Sequence, residues 1–168
     1  VDSYGNLPES VHIYVLGGNG QDIANTLIGC LPAGCVLNGS QAVNATDISG
    51  NEKTINSDFA TDKPIYVKVN VKTNDQWNAD SGASQIQQQV AQFISSLDMG
   101  QTVFLTKMYP IVYSIDGVDE ATISIGTSQS NLSSSDITVE RFEAPSCDLQ
   151  NIEVVVNGQW YKPHQRIN

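Results

Sequence analysis

The chain has 168 residues, 40% hydrophobic and 15% charged, with a formal net charge of −10 from 8 basic and 18 acidic residues. That length holds one domain or two small ones, burying roughly 70% of the surface an unfolded chain exposes. So few Lys and Arg argue against neutralising nucleic-acid phosphates or adhering to anionic membranes, and no apolar run approaches the ~20 residues that span a bilayer.

Asn, Ser, Gln and Thr are abundant, the composition of a globular protein with a polar, hydrogen-bonding surface. The chain begins at Val1 with no signal-peptide pattern and reads as an excised C-terminal piece of a longer protein. Residues 1–10, with Gly5 and Pro8, read as a linker. Residues 11–16 (VHIYVL) read as one strand, broken by Gly17-Gly18-Asn19-Gly20. A helix follows over 21–31, with Ile23, Ala24, Leu27 and Ile28 at helical spacing and Pro32 and Gly34 at its end. Residues 35–59 read as two or more strands with a turn at Gly50-Asn51.

The clearest strand is 65–72. Ile65, Val67, Val69 and Val71 alternate with Tyr66, Lys68, Asn70 and Lys72, so one face is buried. Residues 73–82 form a loop carrying Trp77, then 83–97 a helix with Ile86, Val90, Phe93, Ile94 and Leu97 on one stripe. A second helix is expected over 102–114, kinked or shortened by Pro110. Strands are predicted over 121–126, 136–142 and 152–156, with a polar loop over 127–135 and a tail over 157–168. The predicted fold class is therefore α+β: mixed or antiparallel sheets with about three helices packed on them, as one body or as two small subdomains divided near 73–82.

The search for chemistry yields no catalytic, cofactor or metal residues, and the reading is of a non-enzyme. Gly17 to Gly20 lies between a strand and a helix, where glycines let phosphate approach. However, Ile23 stands where a third glycine belongs, no Walker lysine exists, and Asp22 repels phosphate; a tight turn is the better reading. His12 and His164 have no Cys, His or Asp partner at ligand spacing and read as structural. Asp116, Asp119 and Glu120 read as a solvated turn, with a weak cation site as the alternative. Asp47, Asp58 and Asp62 read as surface charge. Cys30, Cys35 and Cys147 read as reduced thiols, with a Cys30–Cys35 bridge as the alternative. Asn38, Asn44 and Asn131 open glycosylation-like triplets that such a composition produces by chance. Trp77 and Trp160 each read as a core plug or an interface anchor.

Several segments resemble, in order, the C-terminal half of the baseplate J-like family of contractile phage tails. They are Ser10-Val11-His12-Ile13-Tyr14-Val15-Leu16-Gly17-Gly18, Ile23-Ala24-Asn25, Ala33-Gly34 and Pro64-Ile65-Tyr66-Val67-Lys68-Val69. Gly100, Val103 and Tyr109-Pro110-Ile111-Val112-Tyr113-Ser114-Ile115-Asp116-Gly117-Val118 complete the set. The resemblance spans about 11–156, while members of that family are usually about twice this length. It implies a structural component of a phage or prophage tail baseplate, made in the bacterial cytoplasm and located in the virion. Such a component meets other baseplate or tail proteins in an oligomeric ring and links the hub to peripheral or receptor-binding parts. On that reading the helices between 83 and 114 and the strand 65–72 are scaffold, and the loops 73–82 and 127–135 meet partners. The alternative is a carbohydrate-binding module at a tail tip, using Trp77, Tyr66, Trp160 and the acidic loops; a small nucleotide-dependent enzyme or hydrolase rests on Gly17 to Gly20 alone.

Overall fold

The computed structural model describes residues 1–3, 5–32 and 34–161. It has an α+β fold, three helices with several mixed parallel and antiparallel sheets. The chain divides into two compact units, Val1–Thr61 and Asp62–Asn168. The division falls ahead of the 73–82 loop, where the sequence placed it. The physical reason is a shared core: Val67, Val69 and Val71 before that loop bury against the same cluster as Ile86, Val90 and Ile94 after it.

In the first unit, residues 11–16 are not one strand. β1 (Ser10–His12) and β2 (Tyr14–Val15) separate at Ile13 because each takes a different partner. β1 pairs in parallel with β3 (Val36–Asn38), and β2 pairs in parallel with β5 (Glu52–Phe59). β4 (Gln41–Thr46) runs antiparallel to β5 in full register, from Gln41 opposite Ser57 to Thr46 opposite Glu52. Asp47 closes that hairpin by accepting from the N–H groups of Ser49 and Asn51, each at 2.9 Å. Helix α1 (Gly20–Cys30) lays Ala24, Leu27 and Ile28 on a small core with Leu37, Ala45 and Ile55. The expected linker over 1–10 is part of this unit: Asn6 hydrogen-bonds His12, and Ser10 begins β1.

β6 (Thr61–Pro64) leads into β7 (Tyr66–Thr73), the centre of the second unit. Its main sheet runs β11–β10–β7–β8. β8 (Val118–Gly126) is antiparallel to β7. β10 (Ile152–Val156) is parallel to β7, and β11 (Gln159–Trp160) returns antiparallel beside β10. β9 (Glu143–Ser146) pairs with β6. The alternation read along β7 is real: Val67, Val69 and Val71 are buried and register beside Ile125, Ile123 and Ala121 on β8 and Ile152 and Val154 on β10. Helix α2 (Gly82–Ser95) covers this face with Ile86, Val90 and Ile94, each fully buried. Burial of one such side chain stabilises by about 1.5–3 kcal/mol. The buried Gln87 donates from Nε2 to the carbonyl of Ile152 at 2.8 Å, tying α2 to β10.

Three expected elements differ. The helix over 102–114 is instead a bridge, a tight turn and a short helix. Val103 pairs with Ile137, Leu105–Lys107 form a 3-10 turn, and α3 spans only Tyr109–Tyr113. Pro110 sits in the first turn of α3, where a missing N–H costs nothing, so it begins the helix rather than kinking it. The strand expected over 136–142 is not formed beyond the Ile137 bridge. Its polar groups are bonded otherwise: the Asp136 carboxylate accepts from the distant Leu105 N–H at 2.9 Å, and the Glu143 carboxylate closes a local turn by accepting from Glu140 N–H at 2.9 Å. The tail expected from 157 onward starts as a hairpin, with Asn157-Gly158 turning β10 into β11. Asn157 has φ 50° and Gly158 φ 81°, the backbone of a two-residue primed turn.

Candidate functional site

The strand-to-helix glycines form a bend that leads into a capped helix. Gly17 and Gly18 take φ 71° and 96°. The Asn19 side chain then caps α1, accepting from Gln21 N–H at 2.9 Å and Asp22 N–H at 3.4 Å. Ile23 N–H is bound to the Asn19 carbonyl. The N–H groups of Gln21, Asp22 and Ile23 at the start of α1 are thus satisfied within the protein.

The acidic residues near Asp116 do not converge. Glu120 pairs with Lys72 at 2.6 Å, and Asp119 accepts from Asn74 Nδ2 at 2.6 Å. Among the described residues no group of His, Cys, Asp or Glu is arranged to hold a metal ion. Cys30, Cys35 and Cys147 are free thiols. Burial, with Asp148 beside it, pushes the Cys147 thiol up to about 12, so it stays protonated and unreactive at neutral pH. His164 lies outside the described residues.

The aromatic residues proposed for sugar binding lie apart. Trp77 is half-buried against the core of the second unit, in the loop after β7. Its ring covers Gly82, and its backbone lies so close to Gly117 that a Cβ there would sit 2.3 Å from the Trp77 nitrogen. Trp77 is thus a plug over one end of the β7–β8 pair, while Tyr66, opposite Gly126, is at the other end. Along β7 that is a separation of about 20 Å at ~3.3 Å per residue.

Trp160 has a different setting. It pairs with Val155 on β10, which registers with Asn70 on β7, which registers with Thr122 on β8. Side chains in register share a face, so these residues form a row on the sheet face opposite the buried valines. Above and below the row stand the ion pairs Lys68–Glu153, 3.0 Å, and Lys72–Glu120, 2.6 Å. A shallow cavity of about 150 Å³ lies between Asn70, Lys72, Glu120, Thr122, Val155 and Gly158. Trp160 is 55% exposed at the edge of this face. Strand alternation marked the outward residues of β7 from sequence. Trp160 joined them only through the Asn157-Gly158 turn, a hairpin signal that the reading of 157–168 as a tail left unused.

The first unit holds a second polar cluster. His12 Nε2 lies 2.6 Å from Asp58 Oδ2, and His12 Nδ1 lies 2.7 Å from Asn6 Oδ1. The Ser40 hydroxyl and N–H both donate to Asp58 Oδ1, and the ring of Tyr14 stacks on His12 with centroids 4.3 Å apart. Burial alone would push the Asp58 carboxyl up, but Ser40 and His12 together hold it below its ordinary value. Tyr14 is pushed up by burial and by the charges of Asp58 and Asp2. The cluster contains Ser, His and Asp in the wrong order for nucleophilic catalysis. Asp58 stands between Ser40 and His12, so the hydroxyl donates to a carboxylate rather than to the imidazole that would take its proton. Asp58, read from sequence as surface charge, is the hub of this network. The sequence separation of His12 and Asp58 concealed it.

No protein-family model matches the chain, and no curated protein matches it. No helix of the described residues is long and apolar enough to cross a membrane.

Proposed function

We propose that the chain is a structural assembly module, and that it serves in the tail baseplate of a phage or prophage. The observation that carries the assembly reading is the outer face of the β11–β10–β7–β8 sheet. It presents an aromatic side chain, Trp160, beside the half-buried Val155 and within a field of amides, hydroxyls and paired charges. An aromatic anchor within a hydrogen-bonding surround is the make-up of a protein interface. The baseplate placement is supported by the resemblance of the ordered segments from Ser10 to Val118 alone. On that reading the module contacts other baseplate proteins in a ring, linking hub to peripheral or receptor-binding parts, and resides in the virion. Ring closure follows when such contacts run head to tail about an axis.

Immunogold electron microscopy of tail particles from a lysate, using antibody to this chain, tests the placement. Gold at the distal end of the tail is the expected result. Unlabelled tails beside free soluble antigen would overturn it.

A further inference from the structure

The Asp2–Asn6–His12–Asp58 chain is polarised along its whole length. Asn6 donates twice to Asp2, from its backbone N–H to Oδ1 and from Nδ2 to Oδ2, each at 2.9 Å. That fixes the amide, and its Oδ1 must face the imidazole, 2.7 Å from Nδ1. The other ring nitrogen faces the Asp58 carboxylate, 2.6 Å away. Both neighbours of the ring are acceptors, so both ring nitrogens must donate, and only the imidazolium does so. A neutral ring would point a lone pair at an oxygen. Turning the Asn6 amide to relieve this would set its oxygen against the Asp2 carboxylate.

We propose that His12 is a proton-operated clip that fastens the segment before β1, through Asn6, to the rest of the first unit, and that loss of a ring proton releases it. Among the described residues, the titratable groups facing the ring are Asp58 on β5, Tyr14 stacked on it from β2, and Asp2 reaching it through Asn6; β3 contributes the neutral Asn38, in register with His12. The inference is independent of the assembly reading.

Amide hydrogen exchange of the intact chain, followed by NMR across a pH series, tests it. The His12 ring-proton shifts supply the titration in the same samples. After correction for the intrinsic pH dependence of exchange, protection at Asn6 N–H should fall about tenfold or more as the ring loses its proton, the loss of one charge-assisted hydrogen bond. In His12→Gln protection should be low and flat across that range. In Asp2→Asn the amide is free to turn and donate to a neutral ring, so protection should no longer follow the His12 titration, although ring and core are untouched. Protection that ignores the ring titration in the unsubstituted chain, or follows it equally in Asp2→Asn, would overturn the clip.

Discussion

Asp58 on β5 meets His12 of β1 through Oδ2 and Ser40, between β3 and β4, through Oδ1, and its acid strength follows from that position. The Ser40 donors and His12 outweigh burial and hold its carboxyl below the ordinary value. A carboxyl depressed in the folded state stabilises at pH above its unfolded value, and that contribution is lost as pH falls through the folded value. Thermal melts should therefore show the first unit losing stability with acidification below the ordinary carboxylate range. Asp58→Asn should cost about 1–2 kcal/mol at neutral pH by urea denaturation, with a flatter acid limb; an unchanged acid limb would contradict the assignment. A second residue-scale test uses glycine. At Gly117, φ is +85° and an added Cβ would lie 2.3 Å from Trp77 nitrogen and 2.4 Å from its Cα. At Gly158, φ is +81° but the space is open. Left-handed backbone alone costs an L-residue about 1–2 kcal/mol, so Gly158→Ala should lose about that much and Gly117→Ala clearly more, with Trp77 fluorescence altered only in the latter. The turn at Asp116-Gly117 was legible in the sequence. That Gly117 also seats the Trp77 backbone was not, because nothing in the local sequence records a contact 40 residues away.

At the scale of elements, the pattern of apolar residues recorded burial more faithfully than it recorded conformation. Val103, Met108, Val112 and Ile115 are all buried, as helical spacing over 102–114 implied. Yet the backbone there is a bridge, a 3-10 turn and one short helix. Phe104, in the same run, is 39% exposed under the Lys107 ammonium. Strict alternation along β7 and the long stripe of α2 were read correctly because each element has one buried face and a single period. Residues 11–16 were misjudged because a strand that changes partners midway keeps the same pattern. These readings separate by mutation. Pro110→Ala should change stability by less than about 0.5 kcal/mol, since proline in a first turn forfeits no hydrogen bond; a loss of several times that would restore the interior-kink reading. Val67→Asp places an unpaired charge among fully buried side chains and should abolish the cooperative melt of the second unit. Phe93→Asp, at a half-buried position on the border of that core, should weaken the melt without abolishing it.

For the whole molecule, the two units differ in what holds them. The second is organised on a continuous apolar cluster running from Ile65 through Ile86, Val112 and Ile123 to Val154, with a helix laid across a four-stranded sheet. Among its described residues the first buries Ala24, Leu37, Ala45 and Ile55, with half-buried neighbours such as Ile13 and Leu27 around them. Its remaining order comes from polar links: the Asn19 cap, the Asp47 turn and the network about Asp58. Small units of this kind sit close to the limit at which apolar burial balances chain entropy. The α+β class was legible from the order of elements, but the boundary at Thr61 was not, because β5 and β6 follow each other almost without a break and no Gly- or Pro-rich linker marks it. Expressed alone, residues 62–168 should melt cooperatively and retain the near-ultraviolet signature of a packed Trp77. Residues 1–61 alone should show little fixed tertiary structure, and their strands should lose amide protection first in the intact chain. Reversed behaviour, a stable first fragment and a molten second, would mean that the polar network outweighs the larger apolar core.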